Sequence, residues 1–463
     1  VKNAERLNER TSRFTIGREG IMASIFRKKS LVCALALAGL GLGMSVAAPQ
    51  AHAADDLTTS PYLFGDWNGE RTRLADEGYT FNFGYGGEAA HNFTGGTRSL
   101  TRYTDQWVGG VKADLGKLWG WQGATFRMTI TDRNGRNLGA DANIGNNQLI
   151  QEVYGRGQTW HLTEFSLEQD FFDGALSVKA GRLPVGADFA SFTCDFENLT
   201  FCGNQPGNIV GNYWVNWPTS QWAAVIKLNT SKESYVQIGA YQVNPNYVDN
   251  SYAVHKGLLP DFPGGTTGAL IPLEFGWNPN VNGLPGHYDF GVWYNTSKGS
   301  DLYYDVNHDP AGETGLPALQ RDGQYGAYLN FMQQVTGDAG GKGATLFLNI
   351  SQADRNTAAT DRQITTGVEY KGPFARPNDM IGFAIGATNA NSRYAAYIQQ
   401  NNARTGENVI VGDGNEYVSE LFYSWSPIPS IYLRPNLQYI LHPGGTSQNS
   451  NAFVLGLKMG FTF

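Results

Sequence analysis

The side chains with the most chemical reach in this sequence are charged and amide groups set on one parity of short alternating runs. Arg127 stands among Thr125, Thr129 and Thr131, Glu164 and Glu168 share a face, Lys179 follows, and Glu420, Arg434, Asn436 and Gln438 repeat the pattern near the end. In extended chain, residues two apart point the same way, so each run presents its donors and acceptors to one side. Carboxylates accept and guanidinium groups donate several hydrogen bonds each, while opposed charges leave little net field to hold an ion. Such a lining suits neutral polyols, whose ring hydroxyls want paired donors and acceptors. A charged lining is also what any water-filled interior needs, so no single member of the set is marked as a contact. No catalytic arrangement competes: the seven His are scattered, HExxH and GxSxG are absent, and no Gly-rich phosphate loop follows a strand. Asp and Glu pairs are too common in an acidic chain to signal glycoside hydrolysis. Neither an enzyme activity, nor a cofactor, nor a metal site is expected.

The elements that must position these groups are strands. At the C-terminus Phe453, Leu455, Leu457, Met459, Phe461 and Phe463 share one parity, against Gly456, Lys458, Gly460 and Thr462 on the other. The same period of two runs through Tyr79, Phe81, Phe83 and Tyr85, and through Phe126, Met128 and Ile130. Candidate strands fall at 79–93, 101–115, 122–132, 159–171, 174–183, 221–230, 233–244 and 267–277. The second half adds 287–297, 322–335, 342–352, 362–371, 380–390, 414–426, 430–441 and 450–463. Compact breaks such as Asp173-Gly174, Ser231-Lys232 and Pro427-Ile428-Pro429 alternate with long polar loops. The expected fold is therefore all-β: a transmembrane antiparallel β-barrel of about sixteen strands, with short periplasmic turns and long extracellular loops. Fourteen and eighteen strands are the neighbouring counts. A secreted β-sandwich that binds or cleaves sugar would also alternate. However, the aromatics near strand ends (Trp119, Trp121, Trp222, Tyr423, Trp425) and the Gly-rich, charged opposite parity fit a water-filled lumen better than a sandwich core.

The N-terminal region is read separately. Residues 22–53 have the form of a secretory signal peptide: Met22, Arg27-Lys28-Lys29, an apolar run from Leu31 to Ala48, and the small-residue site Ala51-His52-Ala53. Residues 1–21 precede a complete signal and read as a misassigned start. Residues 54–78, with Leu63, Trp67 and Leu74 among charged groups, are expected to form a periplasmic segment with a short helix or plug, and 79–463 the barrel. After cleavage the chain keeps 26 basic and 38 acidic groups, a net charge of −12, which disfavours nucleic acid as a partner. No later apolar stretch approaches the roughly twenty residues of a membrane helix.

Cys194 and Cys202 are the two cysteines left in the exported part, so a disulfide is expected there, with unpaired thiols as the alternative. Closing so short a loop contributes roughly 2–3 kcal/mol on the chain-entropy estimate. They lie in one of two segments long enough to fold into the barrel and narrow it. The segment 133–158 opens with Arg133 and Arg136, and the segment 184–220 holds Asp188, Asp195, Glu197, Trp214 and Trp217 beside the cysteines. Trp217 and Trp214, and Trp293 from the ninth strand, offer faces on which a sugar ring could stack. By parity, Trp222 reads instead as an interfacial anchor.

Several blocks bring a family into view. LFGDWNGERTRLADEGYTFNFGYGGE at the mature N-terminus, KLWGWQG, AGRLPVGADFA, FTCDFENLTFCGNQPGN with the cysteine pair, and LRPNLQYILHPGG resemble the carbohydrate-selective porins of the OprB family over nearly the whole mature chain. The resemblance implies a sixteen-stranded barrel whose inward-folded loops make a charged, Arg-containing constriction, passing glucose and other small sugars without energy input. A general diffusion porin is the alternative. It also carries the disulfide over to Cys194 and Cys202. Around such a barrel the expected partners are outer-membrane lipid and lipopolysaccharide, the barrel-assembly machinery through a C-terminal strand ending in Phe463, and two further copies if the chain forms a homotrimer.

Overall fold

A computed structural model describes residues 56–463; the expected signal peptide and the segment read as a misassigned start lie outside the described residues. Sixteen strands form the wall. In the first half they are β1 (Tyr79–Asn92), β2 (Thr101–Asp114), β3 (Ala124–Gly135), β4 (Trp160–Phe171), β5 (Leu176–Leu183), β6 (Gln221–Asn229), β7 (Ser234–Val243) and β8 (Gly268–Trp277). The second half supplies β9 (Leu284–Asn295), β10 (Gln324–Gln334), β11 (Gly343–Ala353), β12 (Thr360–Lys371), β13 (Met380–Ala390), β14 (Asn415–Ile428), β15 (Ile431–Leu441) and β16 (Ala452–Thr462). Each pairs antiparallel with the next, and β16 returns to β1 from Gly84↔Thr462 to Asn92↔Val454, so the sheet closes with no free edge. Closure is what lets strands cross a bilayer, because every wall N–H and C=O finds a partner without water.

The alternation resolves into two faces. On β9, Phe290, Val292 and Tyr294 are exposed on the outside, while Asp289 and Trp293 are buried on the inside with Gly291 between them. Exposed aromatics ring both ends of the wall. Tyr294, Tyr325, Tyr417 and Tyr439 lie at the ends that meet long loops, and Trp277, Tyr370 and Trp425 at the ends that meet short turns. In a protein facing water on its outside this band would be a liability; in contact with acyl chains it is the solvated surface. Leu455 is 44% exposed on this band and its neighbour Val454 is buried in the lumen. A nitroxide at Leu455→Cys is therefore expected to relax strongly with lipid-soluble oxygen and weakly with an aqueous nickel chelate; the reverse order would refute the lipid-facing assignment.

The strand boundaries depart from expectation mainly at β3, which runs on to Gly135. Arg133, expected to open a loop, is thus a wall residue opposite Gln106. Among the loop elements for which no strand or helix is expected, two pack together. A hairpin of Gly299–Asp305 with Ala318–Arg321 stands between β9 and β10, and a helix over Ser392–Thr405, capped by the Asn391 side chain on the Arg393 N–H, stands between β13 and β14. Asp301 joins them, reaching Arg321 at 2.6 Å and Arg393 at 2.8 Å.

At the short-turn end, a helix over Glu70–Glu77 precedes β1. Its Arg71 donates to the carbonyls of Phe81 at 2.9 Å and Phe463 at 2.7 Å, and its guanidinium lies over the rings of Tyr62 and Trp67. One side chain therefore bridges the first and last strands.

Candidate functional site

Both long segments, 136–159 and 184–220, fold into the lumen and lie against each other. The Glu152 N–H donates to the Glu197 carbonyl and the Leu199 N–H to the Leu149 carbonyl, each at 2.9 Å. Cys194 and Cys202 are joined in a disulfide with their Cα atoms 4.2 Å apart, which draws the middle of the second segment into a compact hairpin. Phe196 and Phe201, at its tip, pack together at a tilt, and Phe196 sits on Phe422 and Phe347 of the wall, with ring centroids 4.9 and 6.0 Å away. A second aromatic seat forms where Trp214 meets Trp293 and Tyr328 edge-on at 5.3 and 5.9 Å.

Room for this comes from small lumen residues. A Cβ on Gly386 would lie 2.6 Å from the Thr200 side chain, one on Gly239 would lie 2.8 Å from the Phe189 ring, and one on Gly456 would collide with Glu197 and Asn436. At these contacts the wall offers the loop bare backbone.

Wall carboxylates then hold the loop backbones. Glu420 accepts from the consecutive N–H groups of Glu197 and Asn198, both at 2.8 Å. Four residues earlier on the same strand, Glu416 accepts from Asn147, Gln148 and Gly444 at 2.6, 3.2 and 2.8 Å. Glu88 takes the Val153 N–H at 3.0 Å and Glu274 the Ala190 N–H at 2.7 Å. Loop amides that would be orphaned in a dry interior are thus satisfied by charge-assisted bonds. Lys458 completes the arrangement, with Nζ 3.0 Å from Glu152, 3.3 Å from Glu88, and donating to the Cys194 and Phe196 carbonyls at 3.0 and 2.9 Å.

Most of the residues singled out in the sequence fall into three groups. Glu420, Asn436 and Trp293 are covered by the loop, each no more than 2% exposed: Asn436 donates to Glu197 at 2.5 Å and Trp293 to the Tyr213 hydroxyl at 3.1 Å. They were expected on the solute path and instead form the loop's seat. Arg434 joins them, pairing with Asp195 at 3.1 Å and lying over the Phe422 and Tyr432 rings. On the wall between β3 and β5, Arg127 pairs with Glu168, Lys179 pairs with Asp188 from the loop, and Glu164 accepts from Ser166 at 2.7 Å. Arg136 stays outside, 66% exposed and 2.8 Å from Asp141.

Between the two loops and the β2–β3 and β16 wall remains a cavity of about 630 Å³. Of the residues singled out in the sequence, Arg133, Trp217 and the cysteine pair lie on it. Gln106, Glu152, Arg156 and Lys458 join them. Arg133 donates to Gln106 at 3.2 Å and stands 4.0 Å from Glu152, and the Trp217 indole N–H meets the same Gln106 oxygen at 3.3 Å. Lys458 had its signal in the sequence, as the lone charge on the polar parity of the last strand. Arg156 had a local one, a charged residue between two glycines.

The chain matches the family model described as carbohydrate-selective porin, OprB family, over residues 98–463. Porin B of Pseudomonas aeruginosa is 42% identical over 454 residues, covering 94% of this chain and 98% of that one. A putative porin, QuiX, of Acinetobacter baylyi is 32% identical over 425 residues, covering 87% and 93%. The structure of Pseudomonas putida OprB at high pH, 41% identical, superposes with a TM-score of 0.84 over 89% of this chain and 100% of that one. A closed sixteen-strand wall with its apolar face outward, an interior narrowed by two docked loops and a match over most of its length together make this chain an outer-membrane barrel belonging to the carbohydrate-selective porins of the OprB family.

Proposed function

We propose that the chain passes glucose and other small neutral sugars down their gradients through the cavity between its two inward loops. The observation that carries this reading is the cavity itself. At about 630 Å³ it falls within the roughly 300–1,000 Å³ of small-molecule sites, and it sets amide, carboxylate and guanidinium groups beside the face of Trp217. A ring with polar edges and an apolar face fits such a lining. Arg127, Glu164, Glu168, Lys179 and Asp188 line the approach on the β3–β5 wall and keep it wetted. The surrounding partners on this reading are outer-membrane lipid and lipopolysaccharide against the aromatic-edged band, and the assembly machinery at the strand ending in Phe463. Association of three copies would be read by crosslinking in native membranes.

Liposomes carrying the purified protein should swell faster in glucose than in an amino acid of equal size, and glucose should lower single-channel conductance. Equal swelling rates with no effect of glucose on conductance would identify a general diffusion porin instead.

A further inference from the structure

Arg156 is built into the cavity in an unusual way. Gly155, Arg156 and Gly157 have φ of 133°, 62° and 84°, three successive residues in conformations that side chains other than glycine rarely adopt. Backbone held like this persists where the surroundings over-determine it, as at ligand clamps. The surroundings are visible: the guanidinium lies on the bare backbone of Gly211, where a Cβ would come within 2.7 Å of Nη2. The side chain lines the cavity, and among the described residues no carboxylate pairs with it. Glu152, the one acid on the cavity wall, is engaged by Lys458 at 3.0 Å and faces Arg133 at 4.0 Å. Glu88 lies behind Lys458 at 3.3 Å. The cavity thus carries Arg133, Arg156 and Lys458 against a single lining carboxylate, and one guanidinium is left with its donors free.

We infer that this cavity contains a carboxylate subsite, and that the channel takes polyhydroxy monocarboxylates of the aldonate and uronate kind as a second class of solute. Arg156 supplies the planar pair of donors that a carboxylate matches, Arg133 adds the neighbouring positive charge, and Gln106 and Glu152 are left for hydroxyls. The inference rests on reading the cavity as a sugar passage, and adds a charge preference to it.

The test compares current block by gluconate, glucose and acetate in planar bilayers at low ionic strength, where screening is weak. Gluconate should half-block the wild-type channel at about one-tenth of the glucose concentration, the ratio that a single charge-assisted contact gives. Acetate, with a carboxylate and no hydroxyls, should block far less well than gluconate. Arg156→Gln should bring the gluconate-to-glucose ratio close to one, and Arg156→Lys, which keeps the charge and loses the fork, should fall between. Gel migration of the unheated protein shows that each variant retains its barrel. If glucose blocks and gluconate is no better, the subsite is refuted and the sugar passage stands. Gluconate block without glucose block would keep the subsite and overturn the neutral-sugar reading, and absence of both would overturn the two together. A gluconate advantage that survives Arg156→Gln would also remove Arg156 from the assignment.

Discussion

Replacing Glu420 by glutamine will loosen the second inward loop and widen the channel. The carboxylate accepts two adjacent loop N–H groups at 2.8 Å, and an amide in its place keeps one acceptor and turns an NH₂ toward the other donor. Charge-assisted bonds of this kind contribute about 1.5–3 kcal/mol, so losing one and opposing the donor left behind shifts the docked population by an order of magnitude or more, at ~1.4 kcal/mol per factor of ten. Single-channel conductance should rise and become noisy. A cysteine at Thr200, 1% exposed on the loop's face against the wall at Gly386, should react with an aqueous thiosulfonate about tenfold faster or more in the Glu420→Gln background than in the otherwise wild-type chain. Gly456→Val, which drives a side chain into Glu197 and Asn436, should reproduce both effects by steric means. Unchanged conductance and labelling in both variants would show that the loop is held by something else.

Lys458→Met is expected to cost more. The ammonium group is 6% exposed and is shared by Glu88, Glu152 and two loop carbonyls. Removing one member of a buried ionic cluster leaves uncompensated charge and costs ~3–5 kcal/mol. The sixteen-strand ladder does not depend on this side chain, so the loss should fall on loop docking. The barrel should still resist detergent when unheated, while the Cys194–Cys202 bond, already on the cavity wall, is reduced faster by aqueous reductant. Reduction at the wild-type rate would contradict this role for Lys458.

How much of this was legible follows from which physical constraint wrote each part of the sequence. Lipid on one side and water on the other force a period of two, so the wall could be traced strand by strand, and Phe290, Val292 and Tyr294 read outward for the same reason that Asp289 reads inward. A small residue on the inward parity, such as Gly386 of β13, is the sequence's record of something lying there, a loop at Gly386 and the Phe422 ring at Gly382, though not of which. Parity puts Glu420 and Asn436 in the lumen, but whether an inward group meets solute or loop backbone depends on pairings across more than two hundred residues of chain. Trp293 shows the same limit, because an indole suited to stacking on a sugar is equally suited to an edge-on contact with Trp214. The helix over Ser392–Thr405 escaped because loops face no alternating environment, and its cues were local ones, the Asn391 cap and Gly406 at its end.

The clasp at Arg71 bears on the order of biogenesis. The two carbonyls it grips belong to the earliest and the latest parts of the wall to be synthesised, and they come together only when β16 has zipped onto β1. Until then both edges present unpaired backbone. Arg71 can therefore make both of its bonds only on a finished cylinder, and a chain shortened by its last residues would leave it holding Phe81 alone.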